Sequence, residues 1–244
     1  MTSTYVGEMK TLQIDIWSDI ACPWCSIGKR RIEAALERFP HKNDVKITWR
    51  AFELNPAAPK VEPQTGGAYA ERLAQKYGWS VKAAQERLDS MVEVAKKDGL
   101  DFRFDHIKPG NTFDAHRLVH LADKRGLQGA MKERLLRAYM TEGEQMSDIP
   151  TLVRLATEVG IDAEEAQALF ASDDYANEVR ADEREAHQIG ISGVPFFVIG
   201  RYGVSGAQPA EALLQVLDKA WAEAPELAET ELSEGATCGA DGCV

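Results

Sequence analysis

Hydrophobic and polar residues alternate with a period of two in two short parts of the chain, which predicts β-strands over residues 12–17 and 45–52. Between them, apolar residues recur at helical spacing from Ile27 to Phe39, and Pro40 ends the pattern. Two strands that flank a helix predict a βαβ unit, with parallel strands and a right-handed crossover.

A second strand region lies near the carboxyl end of the chain. Residues 196–199 form an unbroken apolar run, which is typical of a strand that is covered on both faces. A turn at Gly200-Arg201 leads into residues 202–205, and the two segments predict an antiparallel hairpin. Pro209 then begins a final amphipathic helix that runs to Trp221.

The middle of the chain shows helical periodicity only. Residues 55–67 are rich in Pro, Gly and Gln, which indicates a boundary. Beyond it, one helix has Ser80 as its N-cap and stops at Gly99, and further helical stretches follow. We therefore predict an α/β domain (1–63 and 172–222), an inserted all-helical subdomain (64–171) and an acidic C-terminal tail (223–244).

Composition excludes several classes of protein. Hydrophobic residues make up 44% and charged residues 27%, close to the average for soluble globular proteins. The net charge of −11, without any basic cluster, argues against nucleic acid as a partner. No apolar run reaches the roughly 18 residues of a membrane span, and the first ten residues lack an apolar signal core. We expect a cytoplasmic protein with no membrane partner and a flexible tail.

The first cysteine pair, Cys22-Pro23-Trp24-Cys25, carries the chemistry. Cys22 occupies an N-cap position and Pro23 the first helical position, so the helix N-terminus favours a thiolate at Cys22. A second thiol one turn later is placed to resolve a mixed disulfide. We expect Cys22 to be an exposed nucleophile and Cys25 a partly buried resolving thiol. Half of a zinc knuckle is the alternative, although such knuckles usually sit in Gly-rich turns.

The turn before the third predicted strand has the sequence Gly193-Val194-Pro195. A proline directly before a buried strand is compatible with a cis peptide bond. Gly193 permits close approach of another backbone. If this turn lies beside Cys22, the backbone of Val194 is available to pair with an extended substrate chain.

Three motifs together resemble the FrnE-type branch of the DsbA-like thiol oxidoreductases. They are SDIACPWCSIGKR at 18–30, NTxxAHRL at 111–118, and GVPFF at 193–197 followed by SGAQP at 205–209. The resemblance implies a thioredoxin-like fold with an inserted helical domain, and no organic cofactor. It also implies a nucleophile at Cys22, a resolving thiol at Cys25 and a cis proline at Pro195.

One position departs from the thioredoxin pattern. Thioredoxins keep a buried carboxylate six residues before the first cysteine, as proton acceptor for the resolving thiol, and here that position is Ile16. Asp19 is nearer to Cys22 in sequence, but a role at the strand end or as a cap explains it equally well. The group that deprotonates Cys25 is therefore left open.

The second pair, Cys238 and Cys243, lies in the tail as CGADGC. Three interpretations are open: a redox relay that exchanges with the first pair, a structural disulfide, or a metal ligand pair. A flexible linker of 16 residues from Ala222 to Cys238 has a root-mean-square span of about 20–24 Å. The relay is therefore compatible with the reach of the tail.

The remaining polar and aromatic residues suggest little chemistry. His116 and His120 share one helix face but lack further metal ligands, so we predict no metal site. Trp24 is expected to be exposed and to contact substrate. Helix faces rich in Glu, Lys and Arg are interpreted as solvated surface.

The sequence thus predicts a thiol–disulfide oxidoreductase or protein disulfide isomerase that acts on thiols and disulfides of proteins, with a thioredoxin or glutathione system as electron partner. A sister group with this architecture resembles glutathione-dependent isomerases of small aromatic or polyketide-type substrates, which generally carry serine at the position of Cys22. A zinc-buffering or partner-binding module that uses all four cysteines is the non-enzymatic alternative.

Overall fold

A four-stranded mixed sheet forms the centre of the molecule, in a computed structural model that describes residues 10–60 and 69–224. The strand order is β2-β1-β3-β4, and β1 pairs parallel with β2 but antiparallel with β3. The strands are β1 (Leu12–Ser18), β2 (Val45–Ala51), β3 (Phe196–Ile199) and β4 (Tyr202–Ser205). The predicted parallel pair and the predicted hairpin are both confirmed.

Helices flank this sheet and fill the interval between β2 and β3. Those of the described residues are α1 (Pro23–Arg38), α2 (Tyr69–Tyr77), α3 (Val81–Lys97), α4 (Phe113–Lys124), α5 (Gln128–Met140), α6 (Ile149–Glu158), α7 (Ala163–Ala171), α8 (Ala176–Gln188) and α9 (Ala210–Glu223). A single turn of 3₁₀-helix, Lys42–Asp44, precedes β2. The α/β, thioredoxin-like fold class with a helical insertion is confirmed.

Helix α2 was missed in the sequence, because its buried positions are the small residues Ala70 and Ala74 rather than large apolar ones. The starts of α3 and α1 follow the expected signals. The hydroxyl of Ser80 accepts a hydrogen bond from the amide of Ala83 at 3.1 Å and so caps α3. Cys22 and Pro23 begin α1 as predicted.

One hydrophobic core runs from the sheet into the inserted helices. It contains Ile14 and Phe197 of the sheet together with Leu118 of α4 and Leu135 of α5, all fully buried. The apolar faces of these helices therefore pack against the α/β part of the chain. The boundaries at 63/64 and 171/172 stay predictions.

Two side chains fasten the helices to the outer side of β2. The amide oxygen of Gln128 accepts a hydrogen bond from the Trp49 N–H at 2.8 Å, and its amide nitrogen donates to the Trp49 carbonyl at 3.2 Å. A carboxylate oxygen of Asp182 in α8 accepts a hydrogen bond from the Ala51 N–H at 2.8 Å. These bonds fix α5 and α8 against the strand.

None of the helices in the described residues is long and apolar enough to cross a membrane. The acidic tail prediction concerns residues 223–244, and the described part ends at Ala224. Cys238 and Cys243 therefore lie outside the described residues.

Candidate active site

Cys22 and Cys25 lie at the junction between β1 and α1. Cys22 is the N-cap of the helix with extended backbone angles (φ −95°, ψ 114°), and Pro23 occupies the first turn. The N–H of Cys25 donates to the carbonyl of Cys22 at 3.1 Å, so one turn of helix holds the two residues together. Both thiols are free.

The predicted turn at residues 193–195 does lie beside Cys22. The Val194–Pro195 bond is cis, as the resemblance implies. The thiol of Cys22 donates to the carbonyl oxygen of Val194, with the sulfur 3.5 Å from that oxygen. The structure therefore brings together the dithiol and the turn, which are 172 residues apart in sequence.

The expected exposure of the nucleophile is wrong. Cys22 is only 4% exposed and Cys25 is 1% exposed, and the turn at Val194 lies against the Cys22 thiol. Trp24 is 41% exposed, which confirms the expectation for that residue.

Cys22 and Val194 both line a cleft of about 940 Å³. Helices α2 and α3 of the insertion form the facing wall. Charged side chains such as Arg72, Glu86 and Arg87 line the cleft, together with six aromatic side chains: Trp24, Tyr69, Tyr77, Trp79, Phe104 and Tyr139. Apolar surface beside convergent polar groups is typical of a ligand-binding cleft.

A glycine lets helix α1 approach the cis turn. A Cβ atom on Gly28 would lie 2.9 Å from Cγ of Pro195 and 3.2 Å from Cζ of Phe197. Any larger side chain at this position would therefore push the turn away from Cys22.

Asp19 is a buried carboxylate directly after the end of β1. It accepts hydrogen bonds from the N–H groups of Ala21 (3.3 Å) and Leu54 (2.8 Å), and it lies 3.4 Å from Nε2 of His116. Burial raises the pKa of Asp19, but the interaction with His116 and the hydrogen bonds from Leu54 and Thr112 together hold the pKa below its usual value. These contacts fix the turn that carries Cys22, which is the strand-end role.

The motif at residues 111–118 has a structural explanation. Asn111 donates to the carboxylate of Glu53 at 3.1 Å and accepts from the N–H of Phe113, so it ties the chain after β2 to the start of α4. Arg117 donates to the carbonyls of Leu169 and Ser172, both at 2.6 Å. Both residues hold the insertion in place.

His116 and His120 do not form a joint metal site. His120 lies 2.9 Å from a carboxylate oxygen of Asp182, whereas His116 faces Asp19. Across residues 10–60 and 69–224 no group of three potential ligands is close enough to hold a metal ion.

Lys132 of α5 was missed in the sequence, where charged helix faces were interpreted as solvated surface. That interpretation is wrong for this residue, because Lys132 is 1% exposed. Its ammonium donates to the carbonyl of Ser18 at 3.2 Å, directly before the turn that carries the dithiol. When a helix face contains both charged and apolar residues, the sequence does not indicate which lysine is buried. Only the tertiary structure shows the burial of Lys132.

The two buried groups Cys25 and Lys132 influence each other. Burial, together with the hydrogen bond and charge of Cys22, raises the pKa of Cys25 well above its usual value, whereas the charge of Lys132 lowers it. Burial lowers the pKa of Lys132 to about 8, and the charge of Cys25 opposes that shift. Ile16 is fully buried and offers no carboxylate to either group.

We expect the free energy of unfolding to fall when the pH is lowered from about 7 to about 5. Burial lowers the pKa of His116 below its usual 6.5, so below that pH the unfolded chain binds a proton that the folded chain resists. The lowered pKa of Asp19 acts in the same direction at still lower pH. Urea unfolding of the wild type at both pH values measures the loss.

The matched control for this prediction is an exposed histidine. His116→Gln should reduce the pH-dependent loss, because the titrating group is removed, whereas His187→Gln at an exposed position should leave it unchanged. Equal losses in the wild type and in His116→Gln would contradict the assignment to His116.

Comparison with known proteins places this site in a family. The family model of the DSBA-like thioredoxin domain matches residues 13–218. The crystal structure of a probable DsbA oxidoreductase from Streptomyces coelicolor is 45% identical, covers 96% of this chain and 98% of that chain, and has a TM-score of 0.83. The protein YwbO of Bacillus subtilis is 28% identical over 200 residues, which is 81% of this chain and 91% of YwbO.

A more distant structure shows the fold alone. The cytosolic disulfide reductase DsbM from Pseudomonas aeruginosa, solved with GSH, is 18% identical, with 86% of this chain and 96% of that chain covered and a TM-score of 0.57. Membership in the narrower FrnE-type branch stays a prediction. The family match extends from β1 to α9 and includes both cysteines, the cis proline and the inserted helices. The chain therefore belongs to the DsbA-like thioredoxin family.

Proposed function

We propose that this chain is a thiol–disulfide oxidoreductase with protein disulfide isomerase activity, in which Cys22 is the nucleophile and Cys25 the resolving thiol. One observation supports the proposal most: Cys22 is the N-cap residue of α1, contacts the Val194 carbonyl beside the cis proline, and lines the 940 Å³ cleft. Helix N-termini favour thiolates, and the thiolate is the attacking species in disulfide exchange.

The proposed reaction begins when the thiolate of Cys22 attacks one sulfur of a substrate disulfide. A bond forms between Cys22 and that sulfur, and the other substrate sulfur leaves as a thiolate. In isomerisation a substrate thiolate then displaces Cys22 and forms a new substrate disulfide. In reduction Cys25 displaces the substrate, so Cys22 and Cys25 become oxidised and the substrate gains two thiols.

The cleft favours a polypeptide substrate. A cysteine attacked by Cys22 would have its neighbouring side chains against Trp24, Tyr69 and Phe104, which bind apolar groups without selecting a single shape. Gly193 and Val194 line the same cleft, and we propose that their backbone pairs with the extended substrate. Pro23 and Trp24 separate the two thiols in the motif.

The electron partner and the compartment belong to the same proposal. We propose that a thioredoxin or glutathione system exchanges electrons with the Cys22/Cys25 pair in the cytoplasm. The likeness to a cytosolic reductase solved with GSH supports this choice. Thiol–disulfide exchange itself needs no organic cofactor.

Reactivation of scrambled ribonuclease by the reduced protein tests the proposal. Catalysed recovery of ribonuclease activity is expected, because correct pairing requires repeated attack on non-native disulfides. A protein that leaves scrambled ribonuclease unchanged, and that also fails to reduce a small disulfide, would contradict the proposal. Reduction without reactivation would limit the function to that of a reductase.

For Cys238 and Cys243 we propose a redox relay. We expect the tail to form a mixed disulfide with Cys22 in a Cys25→Ser variant, because the resolving thiol is then missing. Non-reducing peptide mapping after mild oxidation should identify a Cys22–Cys238 or a Cys22–Cys243 crosslink. A Cys238→Ser/Cys243→Ser variant in the same background is the matched control. Absence of the crosslink, under conditions that trap a substrate protein, would contradict the relay.

A further inference from the structure

Lys132 is a buried cation without a carboxylate in direct contact among the described residues. Its hydrogen bond to the Ser18 carbonyl uses a neutral acceptor, and Asp19 and Asp182 act on it only through their charges. The ammonium also lies 5.7 Å from the centroid of the Trp49 ring. Buried charges are normally paired, so an unpaired one beside a reactive dithiol is a candidate functional group.

The other buried charged groups near the dithiol are already engaged. Asp19 at the end of β1 accepts two backbone hydrogen bonds and faces His116 of α4. Asp182 of α8 accepts from the Ala51 N–H and pairs with Arg50 at 3.2 Å. Lys132 of α5 differs from them because its one hydrogen bond goes to a neutral carbonyl, which leaves its ammonium free to interact with a new anion.

Cys25 is the group on which that charge acts. The charge of Cys25 favours the ammonium of Lys132, as do the charges of Asp19, Cys22 and Asp182. The ammonium is held at the carbonyl of Ser18, and the turn that follows Ser18 leads into α1, where Cys25 is buried in the first turn.

We propose that the ammonium of Lys132 stabilises the Cys25 thiolate when Cys25 resolves the mixed disulfide at Cys22. The inference rests on the proposed function and names a positioning charge that the helical insertion supplies to the thioredoxin-like site. Thioredoxins have a carboxylate that accepts the proton of the resolving thiol, and Ile16 stands at that position in this chain. Lys132 would promote ionisation of Cys25 by stabilising the thiolate with its positive charge rather than by accepting the proton.

The step balances as follows. The mixed disulfide joins Cys22 to the substrate sulfur, and Cys22 therefore carries no negative charge that would oppose ionisation of Cys25. Cys25 loses its proton, its thiolate attacks the sulfur of Cys22, and the bond between Cys22 and the substrate breaks. The departing substrate thiolate takes up a proton, so the net products are the Cys22–Cys25 disulfide and a substrate thiol.

A small aromatic disulfide, dithiobis(nitrobenzoate), separates the two steps in a stopped-flow experiment. Attack by Cys22 releases one coloured thiolate, and resolution by Cys25 releases the second. The full chain with Cys238→Ser and Cys243→Ser gives a signal from the first pair alone. We compare this protein with the same protein carrying Lys132→Met, which keeps an unbranched side chain but removes the charge.

We expect Lys132→Met to slow the second phase about tenfold near neutral pH and to change the first phase much less. An opposite charge nearby shifts a pKa by about 1–3 units, and the higher nucleophilicity of a more basic thiolate offsets about half of the loss. The difference should narrow as the pH rises, because Cys25 then ionises without help. A merely structural role would slow both phases at every pH.

Two further variants complete the test. Lys29→Met removes a lysine that is also buried but paired with Glu33 and Glu133, and should leave the pH profile of the second phase unchanged. Lys132→Arg keeps the positive charge and should stay close to the wild type. Superimposable profiles for the wild type and Lys132→Met would overturn the inference and leave the proposed function intact. A wild type that releases no thiolate at all would instead refute the proposed function.

Discussion

Cys22→Ser is expected to lower the rate of ribonuclease reactivation to that of uncatalysed reshuffling. Serine is a favourable N-cap residue, and its hydroxyl can donate to the Val194 carbonyl as the Cys22 thiol does. The fold of the variant should therefore persist. A serine hydroxyl is not ionised near neutral pH and is a much weaker nucleophile than a thiolate. Reactivation of scrambled ribonuclease, followed by the return of its hydrolytic activity, measures the effect.

Cys25→Ser is the informative partner of this variant. It keeps the nucleophile but lacks the resolving thiol, so mixed disulfides between Cys22 and substrate should accumulate and be visible on non-reducing gels. Activity that survives Cys22→Ser would assign the attack to another thiol and contradict the site described above. Trapping through Cys22 in the Cys25→Ser variant would assign the two roles separately.

Gly28→Ala is expected to reduce disulfide exchange strongly while the protein stays folded. The new methyl group would meet the ring of Pro195 at 2.9 Å, and a proline ring cannot rotate away as a flexible side chain does. The turn that carries Val194 must therefore move relative to Cys22. A misplacement of about 1 Å at a catalytic site costs on the order of 10²-fold in rate. Single-turnover reduction of a peptide disulfide measures the loss.

Gly129→Ala is the matched control for Gly28→Ala. Both glycines lie in α-helices, but an added Cβ at Gly129 meets no atom within 4 Å. Both variants gain the helix preference of alanine over glycine, about 1 kcal/mol in favourable cases. A loss of exchange in both variants would show that the cause is not the contact with Pro195.

Local signals in the sequence predicted the parts of the site that depend on neighbouring residues. The strand before Cys22, the helix start at Pro23 and the turn at Pro195 all have recognisable patterns, and the structure has them at those positions. The motifs also indicated the family, which the comparison confirms over residues 13–218. Their roles in catalysis stay predictions.

The surroundings of the dithiol were not predictable in the same way. Burial of Cys22 depends on the turn at Val194 and on helices from the insertion, which are distant in sequence. Lys132 sits among other charged residues of α5, and its burial results from how that helix packs on Ser18 and Trp49. Hydrophobic periodicity indicates which face of a helix is apolar, but it does not indicate which lysine is buried.

The hydrogen bonds from the helices to β2 have a consequence for self-association. β2 is at one end of the strand order, and an edge strand presents unpaired N–H and C=O groups to which a foreign strand can add. Here the amide of Gln128 binds both groups of Trp49 as a neighbouring strand would, and Asp182 binds the next outward N–H, at Ala51. Helices α5 and α8 thereby protect this edge of the sheet against amyloid-like pairing between copies of the chain.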